Sequence, residues 1–599
     1  MDADGANIHQ IGKSTLFEGH SSLMPDGRIM YYRWEYVDRN FGDAQGLWVV
    51  NPDGTNHAIY WGNNSNSPGA VIDPRIIPGT TLCLCIFGSC HDRPWGALAI
   101  VDRRLGVDGR EPVVRTWPPS AINRVGRGNW DAFRGVSPKY EDPYPLSDKH
   151  FIVSRQVGRG EEMGIYLVDT FGNEVLLHAD APGCYDPMPL GPRPKPIARP
   201  DQRDFNNATG VFYVQNVYIG THMKGITPGA AKYLRVVESP PKRTWTHPAW
   251  GGQGVHCPAI NWHSFENKRI LGTVPVEADG SANFEVPADK FIFFQLLDAD
   301  GMMIQSMRSG TMIQSGERQG CVGCHENRVE DTPPLKGTPL AMKRAPDKMT
   351  GWYGKPRLFS FQKEVQPVFD KHCMTCHDFG KKAAGKLVLA GDRTVTFNAS
   401  YTDLWSRGAI KCIGGGPAAI QQPRSWGSHA SKLVQVLRKP HNKDHETLKL
   451  GKEDLDRIIT WLDLNATYYP TYECAYPSNP TGRCPLTSGQ LGKLGKLTRA
   501  RFVTRHGRGP RAQIAFERPE LSPCLQKLKK GSPQYNEALA IIRAGKAQLA
   551  KTPRADMDGF VPCPEHRRRL VKYRHREAEE LRNRRAIREG KKAYDKGIK

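Results

Sequence analysis

Two short segments of the sequence have the residue types and the spacing that attach haem covalently. Residues 321–325 and 373–377 both read C-x-x-C-H. Two thiols at this spacing add to the vinyl groups of haem, and the histidine that follows becomes the proximal iron ligand. A zinc ribbon would need further C-x-x-C pairs, and the other ten of the 14 cysteines form none. The sequence therefore predicts two covalently bound c-type haems, attached at Cys321, Cys324, Cys373 and Cys376, with His325 and His377 on the iron.

The sixth position on each iron decides what a haem can do. A second protein ligand makes an electron carrier, whereas an open position admits small molecules. For the second haem the favoured distal ligand is His441, with His445 and His429 as alternatives. Apolar residues recur at helical spacing over 361–372, before the motif, and over 452–466, after these histidines. Helices that flank a haem motif predict a small cytochrome c-like domain.

The first motif is preceded by strands rather than helices. Residues 290–297 and 302–307 are apolar and enclose an Asp-Ala-Asp-Gly turn, which predicts a hairpin leading into the haem loop. The four residues after His325, from Glu326 to Val329, include no strong iron ligand. One interpretation is an open first iron, and the other is a ligand from a distant segment.

A further group of metal-binding residue types lies at 90–92, where Cys, His and Asp could all bind Zn²⁺. Cys184 with Asp186 could act likewise. With Cys85, the first group also fits a loose C-x4-C-H spacing for a third haem, but that haem would break the apolar strand predicted over 80–87. A structural role is the preferred interpretation, and zinc stays a candidate cofactor.

Composition restricts the class of protein. The chain has 599 residues with 60 Gly and 46 Pro, which is typical of a turn-rich β protein. It is 39% hydrophobic and 24% charged, which excludes a wholly disordered chain. There is no apolar run of 18 residues, so we expect no transmembrane segment.

Positive charge is concentrated at the end of the chain. The formal net charge is +23, and residues 567–599 carry 14 Lys or Arg against 5 Asp or Glu. The spacing of these charges predicts a solvated helix with i,i+3 and i,i+4 ion pairs. We expect no nucleic-acid binding, because no aromatic or recognition pattern accompanies the charge. Docking of an acidic protein partner is an alternative.

Asx-rich turns recur in the first 200 residues. Residues 51–56 close the predicted strand 46–50 and resemble residues 2–7, and weaker copies follow the strands 97–100 and 164–167. Strand-and-turn units roughly 50 to 65 residues apart are typical of propeller blades with loop insertions. A β-sandwich is the alternative. Because one copy opens the chain, we expect upstream blades and an export signal to be missing from this sequence.

These patterns predict a mainly β protein with an α-helical C-terminal part. The expected domains are a partial β-propeller at 1–200, a β-rich middle domain with the first haem at 201–350, a helical cytochrome c-like domain with the second haem at 351–480, and a basic C-terminal extension at 481–599. Covalent haem is attached outside the cytoplasm, so we expect a periplasmic or otherwise extracytoplasmic protein in which disulfides can form. The predicted disulfides join Cys474 with Cys484 and Cys524 with Cys563.

Several segments resemble the hydrazine synthase alpha subunit family. Those that lead into the first motif resemble its middle domain, and those outside it resemble its propeller and C-terminal region. In order, the segments are 274–281, 291–297, 305–310 and 321–326, then 87–96, 461–466 and 516–524. The resemblance implies a propeller, a middle domain with one haem c and a C-terminal domain with a second. It also implies that the first haem is the candidate catalytic centre and the second an electron relay.

The chain departs from this family at one position that matters for its chemistry. In the family's hydrazine-forming enzymes, a tyrosine shortly after the middle-domain motif ligates the iron, and the motif's histidine turns to a zinc ion. This sequence has Val329 in that neighbourhood and no tyrosine between His325 and Tyr353. The departure puts hydrazine synthesis itself in doubt.

The function that we expect is therefore redox chemistry by an exported dihaem c-type cytochrome. The first haem would bind a small nitrogen- or oxygen-containing ligand, and the second would exchange electrons with a redox partner protein or partner subunits. Two alternatives come from other classes. One is an electron-transfer module in which both irons have two protein ligands, and the other is a propeller-based binding protein.

Overall fold

The computed structural model describes the chain except for residues 36, 40–44, 245–265, 325–329, 332, 336, 414–420, 440–442, 503–508 and 597–599 and the side chains at 443–444. Its strands lie between Phe17 and Cys321, and its helices of the α type between Phe361 and Arg588. This distribution confirms a mainly β protein with an α-helical C-terminal part.

The first twelve strands form three consecutive four-stranded antiparallel meanders, in which each strand pairs with the next. A single bridge, Gly96 to Tyr140, joins the second meander to the third. Meanders of this kind are the blades of β-propellers, and the propeller at 1–200 stays a prediction. The strands are β1 (Phe17–Leu23), β2 (Ile29–Trp34), β3 (Gln45–Val50), β4 (Ala58–Trp61), β5 (Ala70–Ile76), β6 (Leu82–Gly88), β7 (Gly96–Asp102), β8 (Val113–Trp117), β9 (Tyr140–Pro145), β10 (His150–Gln156), β11 (Met163–Asp169) and β12 (Glu174–His178).

The turns that look alike in sequence also have the same backbone geometry. The amide of Asp2 donates to the carbonyl of Ala6 at 2.8 Å, and the amide of Asn51 donates to that of Thr55 at 3.0 Å. Gly5 and Gly54 both have a φ of +84°, a left-handed conformation that favours glycine. The similarity between residues 2–7 and 51–56 therefore reflects one turn type used twice.

Two further sheets pack around a shared apolar core. One has the order β16-β13-β19 and the other β15-β14-β17-β18. Phe212 and Phe284 of the first sheet contact Phe294 of the second, edge to face. The pairing of β17 with β18 confirms the hairpin predicted before the first haem motif. The strands are β13 (Thr209–Val214), β14 (Tyr233–Glu238), β15 (Arg269–Pro275), β16 (Ala282–Pro287), β17 (Ile292–Leu297), β18 (Met303–Ser306) and β19 (Arg318–Cys321).

Short helices surround the second haem motif and longer ones follow it. They are α1 (Phe361–Glu364), α2 (Gln366–His372), α3 (Met374–His377), α4 (Ala399–Ser406), α5 (Lys432–Arg438), α6 (Lys443–Glu446), α7 (Lys452–Asp463), α8 (Ser488–Thr498), α9 (Pro533–Lys551) and α10 (Pro564–Arg588). The predicted helix 452–466 begins at Lys452 but ends at Asp463, and the left-handed backbone of Asn465 and Ala466 turns the chain away. Among the described residues, no helix combines the length and the apolar character needed to cross a membrane.

Helix α10 is the basic helix predicted at the end of the chain. It has the expected i,i+4 ion pairs, such as Arg569 with Glu565. The prediction that it is solvated throughout is wrong for its last turns, because Asn583 and Arg584 are buried. The side-chain amide of Asn583 donates to the backbone carbonyl of Ile8 at 2.7 Å. Arg584 pairs with Asp289 at 2.8 Å, so the end of the helix packs on other parts of the chain.

Candidate functional site

The second C-x-x-C-H motif consists of Cys373, which separates α2 from α3, and the four residues of α3. The amide of Cys373 donates to the Phe369 carbonyl at 2.8 Å, and the amide of His377 donates to the Cys373 carbonyl at 2.9 Å. This turn places Cys373, Cys376 and His377 on adjoining positions of the helix. Burial raises the pKa of the Cys373 thiol to about 12, and Cys376 and Asp370 add to the effect.

The ring of His377 is oriented by a backbone carbonyl. Its Nδ1 lies 2.9 Å from the Leu387 oxygen. A carbonyl oxygen can only accept, so Nδ1 carries the proton and donates it. This hydrogen bond fixes the ring's tautomer and leaves the Nε2 lone pair for a metal, as is usual for histidine ligands of metals.

A second histidine lies beside this ring. His445, in α6, and His377 have nearly parallel rings, with an interplanar angle of 6° and centroids 6.1 Å apart. Two histidines this close together could both ligate the iron of one haem. The partly buried side chains of Leu387, Trp405 and Leu437 pack on the adjoining apolar core. These residues fit a haem with two axial histidines.

The other two candidates for the distal ligand of the second haem are His441 and His429. The favoured residue, His441, lies outside the described residues. His429 is turned towards the hairpin of β17 and β18, where its Nε2 lies 3.0 Å from the Asp298 carboxylate. Burial would raise the pKa of Asp298, but the hydrogen bond from His429 and other donors outweigh it and lower the pKa. The His429 ring is therefore hydrogen-bonded to the Asp298 carboxylate.

The first motif lies at the end of β19, on a loop that packs against residues 215–219. The Cys321 carbonyl accepts from the Gln215 amide at 2.9 Å, and the Cys324 amide donates to the Ile219 carbonyl at 2.8 Å. At Gly323 the approach is so close that a Cβ atom would lie 2.1 Å from the Ile219 oxygen. The loop therefore needs glycine at this position. His325 lies outside the described residues.

The zinc candidates at 90–92 are held by separate partners. His91 Nδ1 lies 2.9 Å from the Asp131 carboxylate, and the Asp92 carboxylate accepts from Lys139 at 3.0 Å. Cys85 is buried in β6, which pairs with β7 along its whole length, whereas its pairing with β5 shifts register between Ile72 and Arg75. The strand predicted over 80–87 is thus present from Leu82 onwards.

A different group of potential metal ligands was not predicted from the sequence. Among the described residues, His, Cys, Asp or Glu come together in threes at one place only, where the donor atoms of Cys474, Cys563 and His566 meet. The predicted pairings of Cys474 with Cys484 and of Cys524 with Cys563 are wrong, since neither pair is joined and Cys474 lies beside Cys563. The sequence signal that was missed is the C-x-x-H spacing of residues 563–566 at a helix start.

Comparisons with known proteins point to the same family as the sequence segments. Residues 229–326 match the family described as "Hydrazine synthase alpha subunit middle domain". The "Hydrazine synthase subunit alpha" of Kuenenia stuttgartiensis is 22% identical over 286 residues, which is 35% of this chain and 35% of that protein. The chain thus matches about a third of the length of this relative.

A solved structure, "Kuenenia stuttgartiensis Hydrazine Synthase", has a similar fold. It aligns with a TM-score of 0.56 at 17% identity and covers 77% of this chain and 70% of that chain. At this identity the likeness shows the fold alone. Together the comparisons confirm that the chain is hydrazine synthase alpha subunit-like.

Proposed function

We propose that this chain is a redox-active c-type cytochrome in which the haem at 373–377 relays electrons. His377 and His445 would hold its iron. The parallel rings, 6.1 Å apart, are the observation that carries this proposal. Two imidazole ligands leave no position open to substrate, and this ligation suits electron transfer rather than catalysis.

The first motif would hold the other haem, through Cys321 and Cys324 and with His325 on the iron. Support comes from the match to the middle domain of the hydrazine synthase alpha subunit, which ends on this motif. This haem is the proposed site for a small nitrogen- or oxygen-containing ligand. The relatives are named as a synthase and as its alpha subunit, so electrons would pass to a redox partner protein or partner subunits.

The remaining parts of the proposal follow from haem attachment and from strand order. Covalent attachment outside the cytoplasm implies a periplasmic or otherwise extracytoplasmic protein. The three four-stranded meanders would form a partial propeller at 1–200, followed by the middle, cytochrome c-like and C-terminal parts with the boundaries given above.

The experiment that tests the relay is electron paramagnetic resonance of the ferric full-length protein, matured in a host that attaches haem c. We expect two haems per chain and a low-spin signal from the second haem. His445→Ala should convert this signal to high spin, whereas His441→Ala should leave it unchanged. Loss of the low-spin signal in His441→Ala alone would refute the assignment of His445.

The same spectra test the catalytic part of the proposal. A high-spin signal from the first haem that changes on addition of nitric oxide or hydroxylamine would support a ligand site there. Two low-spin signals that do not respond would refute catalysis and leave a pure electron carrier.

A further inference from the structure

Three buried side chains near the end of the chain converge at one point. The sulfurs of Cys474 and Cys563 and a ring nitrogen of His566 all lie within 4.8 Å of one another. All three residues are buried, with exposed fractions of 0% for Cys474, 5% for Cys563 and 3% for His566. Two thiols and an imidazole within this distance offer three donor atoms of the kinds that bind a metal ion.

The start of α10 brings these donors together. Cys563 is the residue before the helix, and His566 is three positions later, so both side chains lie on one face of the first turn. The Cys563 amide donates to the Cys474 carbonyl at 2.8 Å, which fixes the two cysteines side by side. The Cys563 side chain makes no capping hydrogen bond, so its sulfur is not used by the helix end.

The imidazole of His566 is oriented by a backbone hydrogen bond. The Cys474 amide donates to Nδ1 of His566 at 3.1 Å, so Nδ1 carries no proton and its lone pair accepts this hydrogen bond. This contact holds the ring beside Cys474, and a metal ion bound through this nitrogen of the imidazole would replace the hydrogen bond from the amide.

The loop that carries Cys474 is held in place before any ion binds. Arg483 is fully buried and donates to the carbonyls of Thr471 and Tyr472 at 3.1 and 3.3 Å. It also donates to the Glu473 carbonyl. A rigid loop lowers the conformational entropy lost on binding, which raises the affinity of a preformed site.

We propose that Cys474, Cys563 and His566 form a zinc site. Thiolate and imidazole are typical protein donors for Zn²⁺, and these three side chains would fill three of its four tetrahedral positions. Two thiolates balance the charge of Zn²⁺, so the ion can be buried without net charge, and its binding releases the two thiol protons to solvent. The site ties the start of α10 to the loop after α7, across 88 intervening residues. It is separate from both haem motifs and does not depend on the proposed function.

The first test is the metal content of the full-length protein with its haems attached. Zinc and iron are measured by inductively coupled plasma mass spectrometry, and the zinc environment by X-ray absorption at the zinc edge, where haem iron does not interfere. We expect a zinc equivalent with Zn–S distances of about 2.3 Å and Zn–N distances of about 2.0 Å. Absence of zinc, or a shell without sulfur, would overturn the proposal.

Variants and a thiol count make the test specific. Cys563→Ser and His566→Ala should each lose one zinc equivalent, whereas Cys484→Ser, at a buried thiol outside the group, should keep it. If the variants do not fold, the wild-type protein still decides the question. Denatured with chelator but without reductant, it should expose the thiols of Cys474 and Cys563 to alkylation. A disulfide between these two residues, or zinc that persists in both variants, would refute the site.

Discussion

The carboxylate of Asp378, the residue after His377, accepts hydrogen bonds from both terminal nitrogens of Arg518, at 2.7 Å each. Nε of the same guanidinium donates to Asp392 at 2.9 Å. Burial alone would raise the pKa of Asp378, but the hydrogen bonds from Arg518 lead the effects that lower it. A residue from the C-terminal part of the chain therefore braces the haem motif at the position next to its histidine.

Arg518→Met should destabilise the protein by about 1–2 kcal/mol, because two carboxylates lose a charged donor that is partly screened by solvent. Arg518→Lys should recover less than half of this loss, since one ammonium group cannot serve both carboxylates. Urea unfolding at pH 7 measures the difference. Arg543→Met, at an exposed ion pair with Glu520, is the matched control and should change stability by less than about 0.5 kcal/mol.

The same contact predicts a pH dependence on the acid side. The pKa of Asp378 is lower in the folded state than in the unfolded state. Its contribution to folding stability is therefore fully present above the unfolded-state pKa of about 3.9, and it is lost as the pH falls through the folded-state pKa. Arg518→Met should therefore be less sensitive than wild type to acid below about pH 4. Equal slopes of stability against pH in the two proteins would contradict this account.

Gly323→Ala should impair haem attachment at the first motif. Its Cβ would meet the Ile219 carbonyl at 2.1 Å, and relief requires backbone movement that costs about 1–3 kcal/mol. Intact mass should show chains with one haem in place of two. Gly385→Ala, where no atom lies within 4 Å of the added methyl group, should retain full haem content. Normal haem content in Gly323→Ala would show that the loop is not tightly packed.

Glu266→Gln should change the stability profile near neutral pH. Burial, and next the charge of Asp38, raise the pKa of Glu266 to about 7. The folded state then holds the proton more tightly than the unfolded state. Stability from this group is present below the unfolded value of 4.5 and is lost as the pH rises to about 7. The variant should flatten thermal stability over this range, and Glu161→Gln, at an exposed side chain, should not.

His429→Ala should leave the spectra of both haems unchanged, because this histidine is paired with Asp298. Loss of the pair should destabilise the protein by about 0.5–1.5 kcal/mol. Visible spectra and urea unfolding of the same samples check both statements. A low-spin haem lost in this variant would mean that His429 moves to the iron when haem is attached.

Local patterns in the sequence were enough to predict much of this structure. The hairpin of β17 and β18, the helix that starts at Lys452 and the shared turn of residues 2–7 and 51–56 each depend on residues close together in the chain. Periodicity and turn chemistry act over such distances. The C-x-x-C-H motifs are also local, so the sequence predicts haem attachment at their cysteines, and this attachment stays a prediction.

Features that depend on distant segments could not be predicted in this way. Spacing alone does not distinguish His445 from His441, and the position of the His445 ring beside His377 depends on where the fold places α6 relative to α3. Cys474 and Cys563 were assigned to other partners because sequence cannot fix which distant cysteines meet. The hydrogen bond from the Asn583 side chain to the Ile8 carbonyl likewise cannot be predicted from the charge pattern of a basic helix.

The contact between the two ends of the chain has a consequence for the order of assembly. Asn7 and Ala593 exchange hydrogen bonds in both directions, at 2.7 and 2.9 Å, although they are 586 residues apart in sequence. A chain that emerges from the ribosome N-terminus first cannot make this contact until almost every other element exists. The contacts of Asn7 with Ala593 and of Ile8 with Asn583 therefore form only after nearly the whole chain has been synthesised.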